Sequence, residues 1–287
     1  MLAEQIVNGL VLGSIYALIA VGYSLQLSIL RIFNLAHGEI MMFSTFAAYV
    51  VLVRLHGGLA AATVAAIATG IGLGMLLERL ALRPIKSRGE LAPLIVTIGV
   101  GTLLQAGAVL VFGFEQHAFP RPFADMLDLG FAQVTPVQLA ILTVGAVTMA
   151  ALHVIVRRTR FGRAIRATSE LEPIAAVFGV NVPMVKLATI ALSSGLGALA
   201  GVLIAMNFGV LSPFIGAAYG LKGLVVVIIG GAASIEGAFV GGILLGLIEV
   251  LAASYFLSEY RDALAYFVLL LVLALRPSGL FARAALR

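Results

Sequence analysis

The sequence predicts an all-α protein that crosses a membrane eight or nine times. Of its 287 residues, 62% are hydrophobic and only 11% are charged, and the mean hydropathy is +1.14. Soluble domains carry about 25% charged residues, so these apolar stretches face lipid as well as each other. The chain has no cysteine, which excludes disulfides, thiolate metal sites and thiol nucleophiles.

Runs without Asp, Glu, Lys or Arg define the candidate spans. A helix needs about 20 apolar residues to cross the hydrocarbon layer. Five runs are long enough: residues 5–30, 55–77, 91–114, 129–156 and 187–221. Four shorter runs reach across only if neighbouring polar residues lie at membrane depth: residues 40–53, 223–235, 237–248 and 263–275. Together they predict nine spans in a single membrane domain, residues 1–287.

The distribution of Lys and Arg orients these spans. Nine alternating crossings place thirteen basic residues on one face and three on the other, with Lys186 and Lys222 uncounted near predicted span ends. The positive-inside rule makes the thirteen-residue face cytoplasmic, so the N-terminus is expected to be periplasmic and the C-terminus cytoplasmic. The thirteen are Arg31, Arg79, Arg83, Lys86, Arg88, Arg157, Arg158, Arg160, Arg163, Arg166, Arg276, Arg283 and Arg287, and the three are Arg54, Arg121 and Arg261.

A polar cluster, Asn34, His37 and Glu39, precedes the first short run. Because that run has only 14 residues, a full crossing would draw the cluster into the membrane. Two interpretations stay open: the broken start of a helix that lines a translocation path, or an interfacial loop that faces lipid headgroups.

Glu249 is a second polar residue that costs free energy to bury in the membrane, because its position in the sequence puts it near the bilayer centre. It is either a residue of a substrate path or proton relay, or a hydrogen-bonded carboxyl that holds two helices together. The sequence favours the structural alternative.

The basic stretch at residues 157–181 predicts a cytoplasmic docking loop. Its arginines are followed by Glu170 and Glu172 and then by apolar residues 174–178 at helical spacing. This pattern predicts a short amphipathic helix outside the membrane that contacts a soluble partner. A loop that binds anionic lipid is the alternative.

No Gly-Lys dipeptide occurs, so the phosphate-binding loop of ATP-hydrolysing proteins is absent. Energy for any transport must come from another chain or from an ion gradient. A proton-coupled secondary transporter, with Glu249 and His37 as relay, and a passive channel are therefore rival hypotheses.

Several segments together resemble one family over essentially the whole chain. These are Leu-Val-Leu-Gly-Ser-Ile-Tyr-Ala-Leu-Ile-Ala-Val-Gly-Tyr at residues 10–23, Arg-Ile-Phe-Asn-Leu-Ala-His-Gly-Glu at 31–39, Thr-Arg-Phe-Gly-Arg-Ala-Ile-Arg-Ala at 159–167 and Arg-Pro-Ser-Gly-Leu at 276–280. They closely resemble the H-type permease subunits of bacterial branched-chain amino-acid ABC importers.

The resemblance implies a transport subunit with the ABC importer permease fold in the bacterial inner membrane, and not an enzyme. It implies a second homologous permease, two cytoplasmic ATPases that bind ATP and Mg²⁺, and a periplasmic binding protein; this chain itself would carry no cofactor. The expected cargo is a branched-chain or hydrophobic amino acid, with urea, short amides and aromatic acids as alternatives. The expected substrate-path residues are Asn34, His37, Glu39 and Glu249, and the expected ATPase-coupling residues are Arg160, Arg163, Arg166, Glu170 and Gly179.

Overall fold

The structure, a computed structural model, describes residues 2–85, 89, 91–120, 126–128, 130, 132–232, 234–255, 261–276 and 279–281. Its helices are α1 (Leu2–Leu30), α2 (His37–Tyr49), α3 (Leu59–Leu76), α4 (Arg83–Ile85), α5 (Leu91–Phe112), α6 (Pro136–Arg158), α7 (Arg160–Glu170), α8 (Glu172–Val177), α9 (Val182–Phe208), α10 (Ile215–Gly230), α11 (Ile235–Tyr255) and α12 (Arg261–Leu275). Two π-helical segments, Val50–Arg54 and Leu77–Leu82, extend α2 and α3.

Four two-residue strands complete the described secondary structure. They are β1 (His117–Ala118), β2 (Leu127–Asp128), β3 (Gln133–Val134) and β4 (Val210–Leu211). β1 pairs with β4 and β2 pairs with β3, both antiparallel. The strands only fasten loops, so the fold is a helical bundle.

Six of the described helices are long and apolar enough to cross a membrane. They are α1, α3 with its extension to Ile85, α5, α6, α9 and α11. α10 and the part of α12 from Ala263 to Leu275 are apolar but shorter. These helices confirm the prediction of an all-α polytopic membrane protein.

α1 and α9 form the centre of the bundle. In the most apolar parts of α1 and α9, 78% and 72% of the residues are buried in protein. The corresponding buried shares are 22%, 17% and 22% for α3, α5 and α6. Since lipid-facing and buried positions are equally apolar in a membrane bundle, polarity does not distinguish inner helices from outer ones.

The faces at which helices pack against each other are marked by small side chains. The buried residues of α3 are Ala62, Ala66, Gly70 and Gly74, spaced four apart. α1 and α11 approach so closely that a Cβ atom on Gly13 would lie 2.7 Å from the Cα atom of Ile243. Backbone-to-backbone contact of this kind replaces the hydrophobic effect as the source of helix association in lipid.

Contacts between helix ends define the two ends of the bundle. At one end, β1 and β4 join the chain after α5 to the chain after α9. The Arg54 guanidinium lies 5.4 Å from the centre of the Phe112 ring, and Gln138 Nε2 donates to Asn8 Oδ1 over 2.7 Å. We call this the strand end.

The opposite end carries most of the described basic residues, and we call it the basic end. Arg157 pairs with Glu236 over 2.6 Å and so joins the end of α6 to the start of α11. The Leu280 N–H donates to the Ile229 carbonyl over 2.9 Å. Of the residues in the charge count, Lys86, Arg88, Arg121, Arg283 and Arg287 lie outside the described residues.

Candidate functional site

The link between α1 and α2 turns back into the bundle. Arg31 adopts a left-handed backbone conformation (φ 57°) just after α1 ends. Asn34 and His37 are then 1% and 0% exposed. The His37 ring lies against α1 and α9, where a Cβ atom on Gly22 or Gly197 would come within 2.7 and 3.0 Å of it.

Gly22 lies eight residues before the end of α1, so α2 begins about 12 Å inside the bundle. The polar cluster is therefore enclosed by protein and does not face headgroups, which makes the interfacial-loop interpretation wrong. The broken helix start is the geometry that the chain adopts.

Gln26 organises this cluster. Its Nε2 donates to Ser193 Oγ over 2.6 Å and lies 3.1 Å from His37 Nδ1, while its Oε1 accepts from Asn34 Nδ2 over 2.8 Å. Asn34 Oδ1 in turn accepts from the Ala36 N–H over 3.1 Å. The network ties the α1–α2 link to α1 and α9 through Asn34 and His37 Nδ1, whereas the buried His37 Nε2 atom has no hydrogen-bond partner among the described residues.

Gln26 and Ser193 are not among the residues that the charge pattern predicts, since both are uncharged members of long apolar runs. The only available signal was an amide within a predicted span, where unpaired polar groups are costly.

Glu39 lies at the floor of a groove between α5 and α10. α2 forms the floor, and the cavity measures about 240 Å³. The Glu39 Oε2 atom is buried and has no hydrogen-bond partner within the described part of the chain. The lining residues are Tyr23, Leu35, Glu39, Ile98, Gly101, Thr102, Gln105, Gly216, Ala217, Gly220, Leu221 and Leu224.

Glycines make room for the carboxylate. A Cβ atom on Gly101 would lie 3.3 Å from Glu39 Cγ, and one on Gly216 would collide with Glu39 Oε2. The groove therefore combines apolar walls with one carboxylate oxygen, and the hydroxyl of Thr102 and the amide of Gln105 lie along the same cavity. Such a site can accept a hydrogen bond from a cationic group and hold an aliphatic chain beside it.

Glu249 lies elsewhere, in a buried ion pair. Its Oε1 is 2.7 Å from Lys222 Nζ, and its Oε2 accepts from the Tyr16 hydroxyl over 2.8 Å. Lys222 Nζ also lies 5.7 Å from the centre of the Tyr16 ring. The three side chains join α1, α10 and α11, and none of them belongs to the lining of the Glu39 groove.

The position of Lys222 corrects a prediction. Its charge predicts a position near the end of a span, but Lys222 lies in the middle of α10 and is 8% exposed. Its charge is tolerated at this depth because Glu249 neutralises it. The same contact agrees with the structural interpretation of Glu249.

A sharp turn at the basic end leads from α6 into α7. The Thr159 hydroxyl accepts the Gly162 N–H over 3.1 Å and caps α7. A Cβ atom on Gly162 would collide with the Val156 carbonyl, and the Arg166 guanidinium donates to that same carbonyl. The Gly-Arg-Ala-Ile-Arg pattern thus sets the angle between the two helices.

α7 is amphipathic, but the apolar residues 174–178 on which the predicted helix was based lie in and just after α8. Arg160, Arg163 and Glu170 are exposed, whereas Gly162 and Ile165 face the bundle.

The C-terminus of α7 is fastened to the start of the α1–α2 link. Arg31 Nη2 donates to the carbonyls of Ser169 and Glu170 over 2.8 and 2.9 Å.

α8 presents an apolar surface outside the bundle. Ala175 is buried, but Ile174, Val177 and Phe178 are 50%, 85% and 83% exposed. Gly179 ends the helix with a left-handed φ of 83°. Exposed apolar side chains beside exposed arginines are typical of a protein–protein contact surface.

An apolar helical bundle with a polar-floored groove and two helices outside the bundle fits a membrane transport subunit. Residues 5–273 match the family model described as "Branched-chain amino acid transport system / permease component". The chain belongs to this family. No solved structure matches it.

Curated relatives agree over nearly the whole chain. LivH of Escherichia coli K12 and BraD of Pseudomonas aeruginosa, both called high-affinity branched-chain amino acid transport system permease proteins, are each 35% identical over 98% of this chain and 95% of their own length. The ribose import permease RbsC of Haemophilus influenzae is 26% identical over 96% of this chain and 86% of its own. The chain is thus a multi-pass inner-membrane permease component of an ABC transport system and not an enzyme.

We expect Lys222 and Glu249 to stabilise the fold only as a pair. Lys222→Met or Glu249→Leu alone leaves an uncompensated buried charge and should cost about 3–5 kcal/mol, while the double variant recovers most of that loss. The unfolding temperature of the purified protein in detergent measures this.

The matched control is the pair of Arg157 and Glu236, whose side chains are 54% and 52% exposed. Arg157→Gln should cost no more than about 1 kcal/mol. If the Lys222 and Glu249 single variants melt no lower than this control, the pair does not hold the helices together.

Proposed function

We propose that this chain forms one half of the translocation path of an ATP-driven importer for branched-chain or similarly hydrophobic amino acids. The observation that carries the proposal is the groove between α5 and α10, with its aliphatic walls and the single carboxylate oxygen of Glu39. An amino acid with an aliphatic side chain matches both features, because its ammonium group is a strong donor to a carboxylate.

The groove is open to one side of the bundle, so a second subunit completes the path. The partner is a homologous permease, identical or different, whose own groove faces this one. A periplasmic binding protein delivers the amino acid and supplies most of the selectivity. Two cytoplasmic ATPases bind ATP and Mg²⁺, and this chain binds no cofactor.

Uptake into proteoliposomes that contain the assembled transporter tests this function. We expect accumulation of radiolabelled leucine that requires the binding protein and ATP. Glu39→Gln should lower uptake at least about tenfold, because a neutral amide is a weaker acceptor for the ammonium group. Glu115→Gln is the control, since Glu115 is exposed in the loop after α5.

Other outcomes identify the rivals. Uptake driven by a pH gradient without ATP would indicate a proton-coupled secondary transporter. ATP-driven uptake of urea, a short amide or an aromatic acid in preference to leucine would support an ATP-driven importer but give it a different substrate. The likeness to a ribose permease favours including ribose among the tested solutes.

The proposed topology is nine crossings by residues 1–287 as one domain, with the N-terminus periplasmic and the C-terminus cytoplasmic. Two observations support it: successive helices end alternately at the strand end and the basic end, and the basic end carries the exposed arginines of α7. The positive-inside rule then makes the basic end cytoplasmic.

Single cysteines test this topology directly, because the natural chain has none. In intact spheroplasts a membrane-impermeant maleimide should label Glu115→Cys at the strand end but not Arg163→Cys at the basic end. Lysis should expose the second position. Labelling of Arg163→Cys before lysis would reverse the orientation.

The proposed ATPase contact uses the exposed arginines of α7 and the apolar surface of α8. Arg160, Arg163 and Glu170 supply charge, Phe178 supplies apolar area, and Gly179 turns the chain back into α9. Arg166 supports the contact indirectly, through its bond to the Val156 carbonyl.

Phe178→Asp should abolish co-purification of the ATPases, because burial of a carboxylate in an apolar interface is costly. Phe178→Leu is the matched control and should retain the complex. The unfolding temperature of the isolated permease should be the same for both variants, as Phe178 is 83% exposed. Normal ATPase recovery with Phe178→Asp would move the contact away from α8.

A further inference from the structure

A second cavity lies at the basic end, directly beyond the Glu39 groove. It measures about 570 Å³ and is the larger of the two. Leu94 lines it one helical turn before Ile98 of the groove, and Phe33 lines it two residues before Leu35. The two cavities are therefore successive along α5 and along the α1–α2 link.

Glu78 is the unusual residue in this cavity. It is 6% exposed, and its Oε2 atom has no hydrogen-bond partner among the described residues. It lies in the π-helical segment after α3, an irregularity that often marks a functional position. A buried carboxylate oxygen without a donor is energetically costly, and a cationic ligand in the cavity would offset that cost.

Basic groups border the same cavity. Arg31 and Arg83 both line it, and Arg31 uses a single nitrogen, Nη2, for its bonds to α7. Lys186 also lines it, but pairs with Glu172 over 2.6 Å. The guanidinium groups are natural partners for a carboxylate, because their planar fork matches its two oxygens.

Most of the other described residues that line the cavity are aliphatic or aromatic. These are Leu30, Ile32, Phe33, Leu82, Leu91 and Leu94. One acceptor for a cation, two donors for an anion and an apolar wall together match a zwitterion with an aliphatic chain. A purely anionic ligand, such as a phospholipid phosphate, would leave Glu78 repelled and unpaired.

We infer that Glu78, Arg31 and Arg83 form a second binding site for an aliphatic amino acid, at which cargo pauses between the Glu39 groove and the cytoplasm. The inference rests on the proposed function and adds a separate site to it. Glu78 accepts the ammonium group, the arginines donate to the carboxylate, and the apolar wall holds the side chain.

Site-directed labelling tests the inference on the detergent-solubilised permease–ATPase complex without nucleotide or binding protein. A cysteine at Leu94 should react with a maleimide, and leucine should slow that reaction. In the Glu78→Gln background about tenfold more leucine should be needed, since a charged hydrogen bond is lost. Glu115→Cys should react at one rate with or without leucine.

Two analogues separate the parts of the zwitterion. 4-Methylpentanoate lacks the ammonium group and 3-methylbutylamine lacks the carboxylate, so neither should protect Leu94→Cys at the leucine concentration that does. Equal protection by 4-methylpentanoate would mean an anion site, such as one for a lipid headgroup, and would overturn the inference. The inference would also be overturned if leucine did not protect Leu94→Cys, or if Glu78→Gln did not change the leucine concentration needed for protection.

Separate measurements report on folding and on transport. If Glu78→Gln melts below its parent, Arg83→Gln provides the second test, with the same expected loss of protection. Uptake of leucine by the otherwise unsubstituted transporter reports on the proposed function alone. Normal uptake without protection at Leu94→Cys would reject the second site and leave the proposed function standing.

Discussion

Every polar group inside this bundle depends on a protein partner, because the surrounding lipid offers none. The Gln26 network satisfies the α1–α2 link, and Lys222 satisfies Glu249. Glu39 and Glu78 differ from these residues, because each has a buried carboxylate oxygen without a hydrogen-bond partner among the described residues. Both border cavities, where water or a ligand can replace the missing partner. Ser24, His37, Thr168 and Ser194 also carry a buried polar atom without a partner among the described residues, so what distinguishes Glu39 and Glu78 is a carboxylate beside a cavity.

Much of the fold could be predicted from the sequence. The basic stretch at residues 157–181 predicted one helix outside the membrane, where the structure has two, α7 and α8. Runs without charge located the long spans because a membrane admits few ionised side chains. The same rule failed for Lys222, because a charge was taken as the limit of a span. A charge that is paired within the bundle costs much less than an isolated one, and pairing between residues 222 and 249 is not visible in a local sequence pattern.

The candidate site was predictable only in part. Asn34, His37 and Glu39 were found together because they follow one another in the chain, yet the structure sends Glu39 to the groove and the other two into a hydrogen-bonded network. Helical rotation and the return of the α1–α2 link decide which way each side chain faces. Gln26 and Ser193 carry no charge, and Glu78 sits in a segment that reads as the end of a span. Their roles depend on contacts between distant parts of the chain, which spacing alone does not encode.

The attachment of Arg31 has a mechanical consequence. The Arg31 guanidinium donates hydrogen bonds to the C-terminal carbonyls of α7. Five residues further along the chain is Ala36, immediately before α2, the helix that carries Glu39. The helix at which we propose the ATPase contact and the floor of the Glu39 groove are therefore joined by residues 31–36. If an ATPase displaces α7, the displacement can reach Glu39 through this contact as well as through the packing of α7 against α6 and α9, so a movement outside the bilayer can alter the shape of the groove within it.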